Sequence, residues 1–195
     1  MTSHPLLNVT QKSRRRIFVG LGWDPNASPT LKDKVGALIG GRQEHHDLDL
    51  SCYYFNQDGA CLGFVSANKD NNANDSGSIY HSGDSVEGVG DGDDEQISAE
   101  LLKLPPNIHH LIFKAHIKSG HIFDEVAAPE IRLCDGYTGR SFLGCSLCDG
   151  QQNNSFVFAR IYRAQDLDSW HLHEIGAYWH DKDVKDWQET LRQYL

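Results

Sequence analysis

The stretch His109-His-Leu-Ile-Phe-Lys-Ala-His-Ile-Lys118 decides the fold, because its side chains alternate between two faces. One face would carry Leu111, Phe113, Ala115 and Ile117, and the other Ile112, Lys114, His116 and Lys118. A period of two residues is typical of a β-strand whose two faces meet different surroundings. The segment Ser155–Arg163 has the same period, so both segments predict β-structure.

Short runs rich in β-branched and aromatic residues recur along the whole chain, separated by turn sequences such as Asn56-Gln-Asp-Gly59. The runs are Arg16–Trp23, Leu48–Phe55, Ala60–Val65, Gly77–His81, Gln96–Leu102, His109–Lys118, Glu130–Cys134, Arg140–Leu147, Ser155–Arg163 and Trp170–Tyr178. About ten short strands with almost no helical pattern between them predict an all-β fold, an antiparallel sandwich of two sheets. The stretches Pro25–His46 and Ala67–Ser76 are interpreted as long loops.

The C-terminus has a different pattern. Val184, Trp187, Gln188, Leu191 and Tyr194 follow helical spacing, which predicts an amphipathic helix over 183–194 that packs on the sheets. A short helical turn is expected near Phe123–Ala127. No internal boundary divides the chain, so we expect one domain over 1–195, with 1–15 as a flexible arm.

The composition limits the function classes open to this chain of 195 residues. Its 27 acidic and 18 basic residues give a net charge of −9 and a pI near 5.6, which disfavours nonspecific nucleic-acid binding. No apolar run reaches the roughly 18 residues of a membrane span, and the N-terminus lacks the apolar core of a secretory signal. We therefore expect a soluble cytoplasmic protein whose five scattered cysteines are reduced.

Nine acidic residues and no Lys or Arg fall between Asp70 and Leu102, and the remaining 18 acidic residues balance the 18 basic ones. The centre of this window reads Asp84-Ser-Val-Glu-Gly-Val-Gly-Asp-Gly-Asp-Asp-Glu95, whose glycines allow tight turns. Clustered carboxylates persist where they are solvated, protonated or neutralised by a cation. Because the cluster runs directly into Ile97 and Leu101, we favour a Ca²⁺ site over a solvated loop.

The spacing of these acids is not that of an EF-hand, which needs oxygen ligands at loop positions three and five and Gly at six. Those positions hold Val86, Gly88 and Val89. Two other acidic strand ends could contribute ligands instead. Asp24 follows the first predicted strand, and Asp47 and Asp49 begin the second, where residues two apart point to the same face.

Four motifs combine these acids in a specific order. They are Gly20-Leu-Gly-Trp-Asp24, Asp47-Leu-Asp49, His81-Ser-Gly-Asp84 and Gly88-Val-Gly-Asp-Gly-Asp-Asp-Glu95. From about residue 17 to 180 this pattern resembles the TerD family of bacterial tellurium-resistance and general-stress proteins, and the length and C-terminal extension are closer to its TerZ-like branch. The resemblance implies a β-sandwich that holds one or two Ca²⁺ ions in acidic loops at one end, with no established enzymatic activity.

The resemblance also implies the metal ligands. The matching positions are Asp24, Asp47, Asp49, Asp84, Asp91, Asp93, Asp94 and Glu95. The run Gly83-Asp-Ser-Val-Glu-Gly88 departs from the usual Gly-Asp-Asn-x-Thr-Gly, losing an amide and a hydroxyl oxygen and gaining Glu87. We therefore expect one of two Ca²⁺ positions to be weaker or rearranged.

A CxxC motif, Cys145-Ser-Leu-Cys148, lies at the end of a predicted strand, whereas a redox motif should open a helix of an α/β unit. As half of a zinc site it needs further ligands, such as Cys134 or the pair His171 and His173. Residues three apart in a strand face opposite sides, so buried inert thiols are favoured. Zinc binding and redox chemistry stay open as alternatives.

The leading interpretation is a Ca²⁺-binding, nonenzymatic stress-response module, in which the stress role follows from the resemblance alone. Its ion-ordered acidic rim would bind an unknown protein partner, such as another stress-response protein, or an anionic membrane surface. The alternative is a metal-dependent hydrolase in which the acidic cluster holds Mg²⁺ or Ca²⁺ and His81 acts as base. A third hypothesis is a zinc or thiol redox sensor at Cys145 and Cys148.

Overall fold

The computed structural model describes residues 4–5, 16–24, 46–82, 92–150, 152–164 and 169–195. Its strands are β1 His4–Pro5, β2 Arg16–Asp24, β3 Leu48–Phe55, β4 Cys61–Val65, β5 Ile79–His81, β6 Glu95–Glu100, β7 His110–Ile117, β8 Ala127–Asp135, β9 Ser141–Ser146, β10 Ser155–Arg163 and β11 Trp170–Trp179. One α-helix in the described residues, α1, spans Trp187–Leu191.

The strands form two sheets in which every pairing is antiparallel. The larger sheet has the order β1-β11-β10-β7-β3-β4, and the smaller has the order β5-β6-β2-β8-β9. The alternation that predicted β7 is seen directly, because Leu111, Phe113 and Ala115 join the core between the sheets while Ile112 packs on the outer face. The fold predicted from the alternating strands is therefore confirmed.

The main core lies between the sheets and draws on both. The smaller sheet contributes Val19, Leu21, Ile97 and Ile131, and the larger contributes residues such as Phe158. A second, smaller cluster lies on the outer face of the larger sheet, where α1 packs. Burying aliphatic and aromatic side chains at roughly 25 cal/mol per Å² of apolar surface is the main stabilising contribution.

The predicted C-terminal helix is present but shorter than expected. It begins at Trp187 rather than Asp183, because the Asp186 side chain caps it by accepting a hydrogen bond from the Gln188 N–H at 2.8 Å. Val184 has extended backbone angles after a 3-10 turn at Asp181–Asp183. Leu191 is fully buried against the larger sheet, as the helical spacing predicted.

Short 3-10 turns and one short strand lie outside the main strands. A 3-10 turn at Phe123–Glu125 confirms the expected helical turn, and another, Lys69–Asn71, lies in the stretch interpreted as a loop. Within the N-terminal arm, β1 (His4–Pro5) pairs with β11. The sequence analysis did not predict β1. No helix in the described part of the chain is long and apolar enough to cross a membrane.

Candidate functional site

Six of the eight predicted metal ligands lie in the described residues, at the start of β3, the end of β2 and the start of β6. Asp47 and Asp49 are at the first of these places, Asp24 at the second, and Asp93, Asp94 and Glu95 at the third. The antiparallel pairing of β2 with β6 places Leu21 opposite Glu95, so these two strand ends coincide. Asp84 and Asp91 fall outside the described residues. We call this part of the molecule the acidic end.

Asp94 fixes the start of β6 onto the end of β2. Its backbone N–H donates to the Leu21 carbonyl oxygen at 2.9 Å, and its Oδ2 accepts from the Trp23 N–H at 3.0 Å. These two hydrogen bonds extend the β2–β6 pairing beyond its last strand residue. Asp94 therefore already has a structural partner, whereas Asp24, at the end of β2, is exposed.

Asp93 is held by an arginine of the neighbouring strand β8. Arg132 Nε donates to Asp93 Oδ1 at 2.7 Å and Arg132 Nη2 donates to Oδ2 at 3.0 Å, which is a bidentate pair. This pairing with Asp93 is the main reason that the pKa of Arg132 is raised. Gly20 makes room for the pair, because a Cβ atom there would overlap the Asp93 carboxylate. To bind a cation as predicted, Asp93 would have to share its oxygens with Arg132.

Glu95 reaches from the smaller sheet to the larger one and is almost completely buried, with 1% of its surface exposed. Its Oε2 accepts a hydrogen bond from the Leu50 N–H at 2.5 Å and lies 3.3 Å from His81 Nε2. The β3–β4 pairing ends with Cys52 opposite Val65, so Leu50 lies beyond the last residue of β3 that pairs with β4. The carboxylate thus links β6, β3 and β5 at the acidic end.

Among the buried carboxylate oxygens at this end, Glu95 Oε1 and Asp49 Oδ1 lack a hydrogen-bond donor among the described residues. Burial raises the pKa of Glu95 to about 7, while contacts with His81 and Leu50 lower it and the charge of Asp49 raises it further. Buried acceptors without donors are rare in folded proteins, and a bound cation would satisfy them.

A lysine partly neutralises the acidic strand end of β3. Lys118 Nζ lies 3.6 Å from Asp47 Oδ2 and 3.7 Å from Asp49 Oδ2, as expected if the two aspartates project to the same face. The lysine is 56% exposed, so solvent weakens both ion pairs. Lys118 also fixes the strand end, because its N–H donates to the Asp47 carbonyl oxygen at 2.8 Å.

The donor set fits a hard cation in type, because it consists of carboxylates with unsatisfied buried oxygens. In the described ranges, no three His, Cys, Asp or Glu side chains gather closely enough to form a metal-binding group by themselves. A complete site would therefore draw on Asp84 and Asp91, which lie outside those ranges. Sequence reasoning did not identify Arg132 and Lys118 as parts of this region, because only strand pairing brings them to the acids.

The surroundings of His81 and of the cysteines do not support the predicted hydrolase base or a reactive thiol. The His81 side chain is 1% exposed and faces Glu95, so solvent does not reach it as it would reach a base that activates water. Cys145 lies in β9, and burial raises the pKa of its thiol to about 11, opposite to the shift of a reactive cysteine. Cys148 is exposed after the strand, and Cys134 is buried.

Comparisons with known proteins identify the family of this chain. A model of the TerD domain family matches residues 4–186. The tellurium resistance protein TerZ of Serratia marcescens is 30% identical over 157 residues, which cover 80% of this chain and 78% of that protein. TerX of the same organism is 31% identical over 199 residues, covering 92% and 90%.

A stress protein and a solved structure extend the comparison. General stress protein 16U of Bacillus subtilis is 27% identical over 179 residues, covering 88% of this chain and 84% of that protein. The crystal structure of a homologue of the telluride resistance protein TerD from Streptomyces coelicolor A3(2) superposes with a TM-score of 0.69 at 23% identity. It covers 86% of this chain and 91% of that chain, and this likeness shows the fold.

Proposed function

The chain belongs to the TerD family, as its four acidic motifs predicted, and we propose that it is a Ca²⁺-binding, nonenzymatic stress-response protein. The stress role is drawn from relatives named as tellurium resistance and general stress proteins. The role of Ca²⁺ is drawn from the acidic end. The ion would join strand ends of both sheets and order the loops that meet there.

The observation that carries the proposal is the pair of buried, unsatisfied oxygens, Glu95 Oε1 and Asp49 Oδ1. Both belong to carboxylates, and Ca²⁺ accepts six to eight oxygen ligands in flexible geometry. Asp49 and Glu95 are therefore the central ligands of the proposed set. Asp24, Asp47, Asp84 and Asp91 would add oxygens, while Asp93 and Asp94 would combine binding with their present contacts.

We propose that the ion-ordered end docks another protein, with an anionic membrane surface as the alternative partner. Without a cation the acidic end repels anionic surfaces, since its carboxylates exceed the cations Lys118 and Arg132 beside them. Bound Ca²⁺ would remove this repulsion and hold the loops in one arrangement. Partner binding would then depend on Ca²⁺ concentration.

The direct test is thermal unfolding in EDTA and in millimolar Ca²⁺. A ligand that binds only the native state raises the midpoint by mass action, so we expect a clear upward shift in Ca²⁺. Asp91→Asn should shrink this shift, whereas Asp58→Asn should leave it intact because Asp58 lies in the exposed β3–β4 turn. An unchanged midpoint in the wild-type protein would reject the metal site.

The same protein should have no intrinsic phosphoesterase activity with Ca²⁺, Mg²⁺ or Mn²⁺. A saturated cage of carboxylates and carbonyls leaves no open position for water, and His81 is buried against Glu95. Hydrolysis of a phosphoester that requires metal and disappears in both His81→Ala and Asp91→Asn would instead support the hydrolase alternative.

A further inference from the structure

A cleft of about 650 Å³ opens on the outer face of the larger sheet, far along the strands from the acidic end. Five side chains line it with positive charge and aromatic rings: His110, Arg160, Tyr162, Arg163 and His171. No Asp or Glu is among its lining residues in the described part of the chain, although the whole protein carries a net charge of −9. We call it the basic cleft.

Strand register builds the floor of the basic cleft. Tyr162 of β10 lies opposite His110 of β7 and opposite His171 of β11, so three rings form a row across three strands. The Tyr162 and His171 rings are stacked with centroids 5.4 Å apart, and the Arg160 guanidinium lies 4.3 Å from the Tyr162 centroid. These contacts hold Arg160 in a defined position over a rigid surface.

The hydrogen-bonding capacity of this floor is incompletely used. Arg160 Nη1 donates to the Tyr194 carbonyl oxygen at 2.8 Å, but Arg160 Nε is buried without an acceptor among the described residues. His110 Nδ1 is likewise buried without a partner in the same part of the chain. Such atoms are costly to leave unsatisfied, and the Arg160 guanidinium keeps donors that the described residues do not use.

The two arginines of the basic cleft are not paired with acidic side chains of the described residues. Neither Arg160 nor Arg163 forms an ion pair with a carboxylate of the described residues, and Arg163 donates instead to the carbonyl oxygens of Ile108 and Leu104. Burial, with the charge of Arg160 next, lowers the pKa of His110 to about 4. Two guanidinium groups on an open surface, without an acidic side chain beside them in the described part of the chain, attract anions.

From this geometry we propose that the basic cleft binds a small organic phosphate, with the phosphate group on Arg160 and the organic part against the rings of Tyr162 and His171. A planar guanidinium fork matches phosphate oxygens better than a point charge does. The volume falls within the range of about 300–1,000 Å³ typical of small-molecule sites, which leaves room for an organic group. This site is independent of the proposed Ca²⁺ site.

Calorimetric titration of the full chain with phenyl phosphate, and with phenol as the uncharged control, tests the proposal. We expect saturable binding of phenyl phosphate that weakens with added salt, and much weaker binding of phenol. Arg160→Gln should weaken phenyl phosphate binding about tenfold or more, since it removes a charge-assisted contact. Arg140→Gln, at an exposed turn before β9, should bind like the wild-type protein.

If Arg160→Gln does not fold, the binding site of phenyl phosphate can be located by NMR on the wild-type protein. Phenyl phosphate should shift the amide signals of Tyr162 and His171 and leave that of Glu95 unchanged. The proposal is overturned by no saturable binding, by equal binding of phenol, by equal affinity in a folded Arg160→Gln variant, or by signal shifts that avoid β10 and β11.

Discussion

The two ends of the larger sheet carry opposite charge, and each has polar atoms whose hydrogen bonds or ion pairs are not satisfied by the described residues. At the start of β3, Asp49 meets the exposed Lys118, yet one of its carboxylate oxygens stays buried and unsatisfied. At the other end of the same sheet, Arg160 and Arg163 lie together without a carboxylate among the described residues. Whole-chain charge conceals this separation, because the net value of −9 says nothing about where cations collect.

The difference arises from antiparallel register rather than from local sequence. β7 has His110, in the basic cleft, at its start and His116, opposite Asp49 at the acidic end, near its end. The same strand thus contributes to both ends of one outer face. Between them lie Lys114 and the cluster covered by α1. The proposed cation site and the proposed anion site therefore lie on one sheet, separated by this covered middle.

Loosening α1, which covers the sheet between the two ends, should have the largest effect on stability. Leu191 of α1 is fully buried against Phe55, Ile112 and Val157, so Leu191→Ala should lower the free energy of unfolding by about 3–4 kcal/mol. It should also weaken phenyl phosphate binding, because Tyr194 follows α1 and accepts from Arg160. Urea denaturation measures the first effect, and Leu102→Ala, at an exposed residue, should change it by less than about 0.5 kcal/mol. Equal losses in both variants would contradict this role of α1.

The buried cation in the middle should make stability depend on pH. Lys114 Nζ contacts Ser155 Oγ at 3.2 Å and the ring of Trp187. Burial lowers its pKa to about 8, and the charges of Asp181 and Asp49 offset only part of this shift. Between about pH 8 and the ordinary value of 10.5, the unfolded chain holds a proton that the native protein has lost. The contribution of Lys114 therefore rises with pH, by up to about 3 kcal/mol.

Lys114→Met isolates this contribution, because it keeps an unbranched side chain and removes the charged amine. Urea denaturation from about pH 8 to about pH 10 should show that the stability of the wild-type protein rises relative to that of Lys114→Met. Lys182→Met, at an exposed lysine, should follow the wild-type curve. Parallel curves for wild type and Lys114→Met would show that the native pKa of Lys114 is ordinary.

At the acidic end, one substitution should have two smaller effects: lower stability without Ca²⁺ and tighter binding of Ca²⁺. Arg132→Gln removes the bidentate partner of Asp93 and, with the arginine 41% exposed, should lower stability in EDTA by about 1–2 kcal/mol. The same substitution removes a cation that competes for Asp93, so Ca²⁺ should bind more tightly. Thermal unfolding and Ca²⁺ titration check the two effects. Weaker Ca²⁺ binding would show that Arg132 positions the ligands instead of competing with the ion.

The strands were predictable from runs of β-branched and aromatic residues: β3 and β10 have the bounds read from the sequence, Leu48–Phe55 and Ser155–Arg163. In β10 a bulge between Val157 and Ala159 breaks the predicted alternation. The later start of α1 was not predictable, since helical spacing includes Val184 whereas capping by Asp186 decides the first turn. The acidic end was predictable as a cluster of like charges. The basic cleft was not, because His110, Arg160 and His171 lie far apart in sequence and only cross-strand register unites them.

Calorimetric titration with Ca²⁺ tests most directly whether the acidic end is a metal site. The wild-type protein should bind one or two ions, and Glu95→Gln should weaken binding about tenfold or more, because it removes the carboxylate of a proposed central ligand. Glu174→Gln, on the exposed surface of β11, should bind like the wild-type protein. The absence of saturable Ca²⁺ binding by the wild-type protein, or equal affinity in Glu95→Gln, would contradict the account.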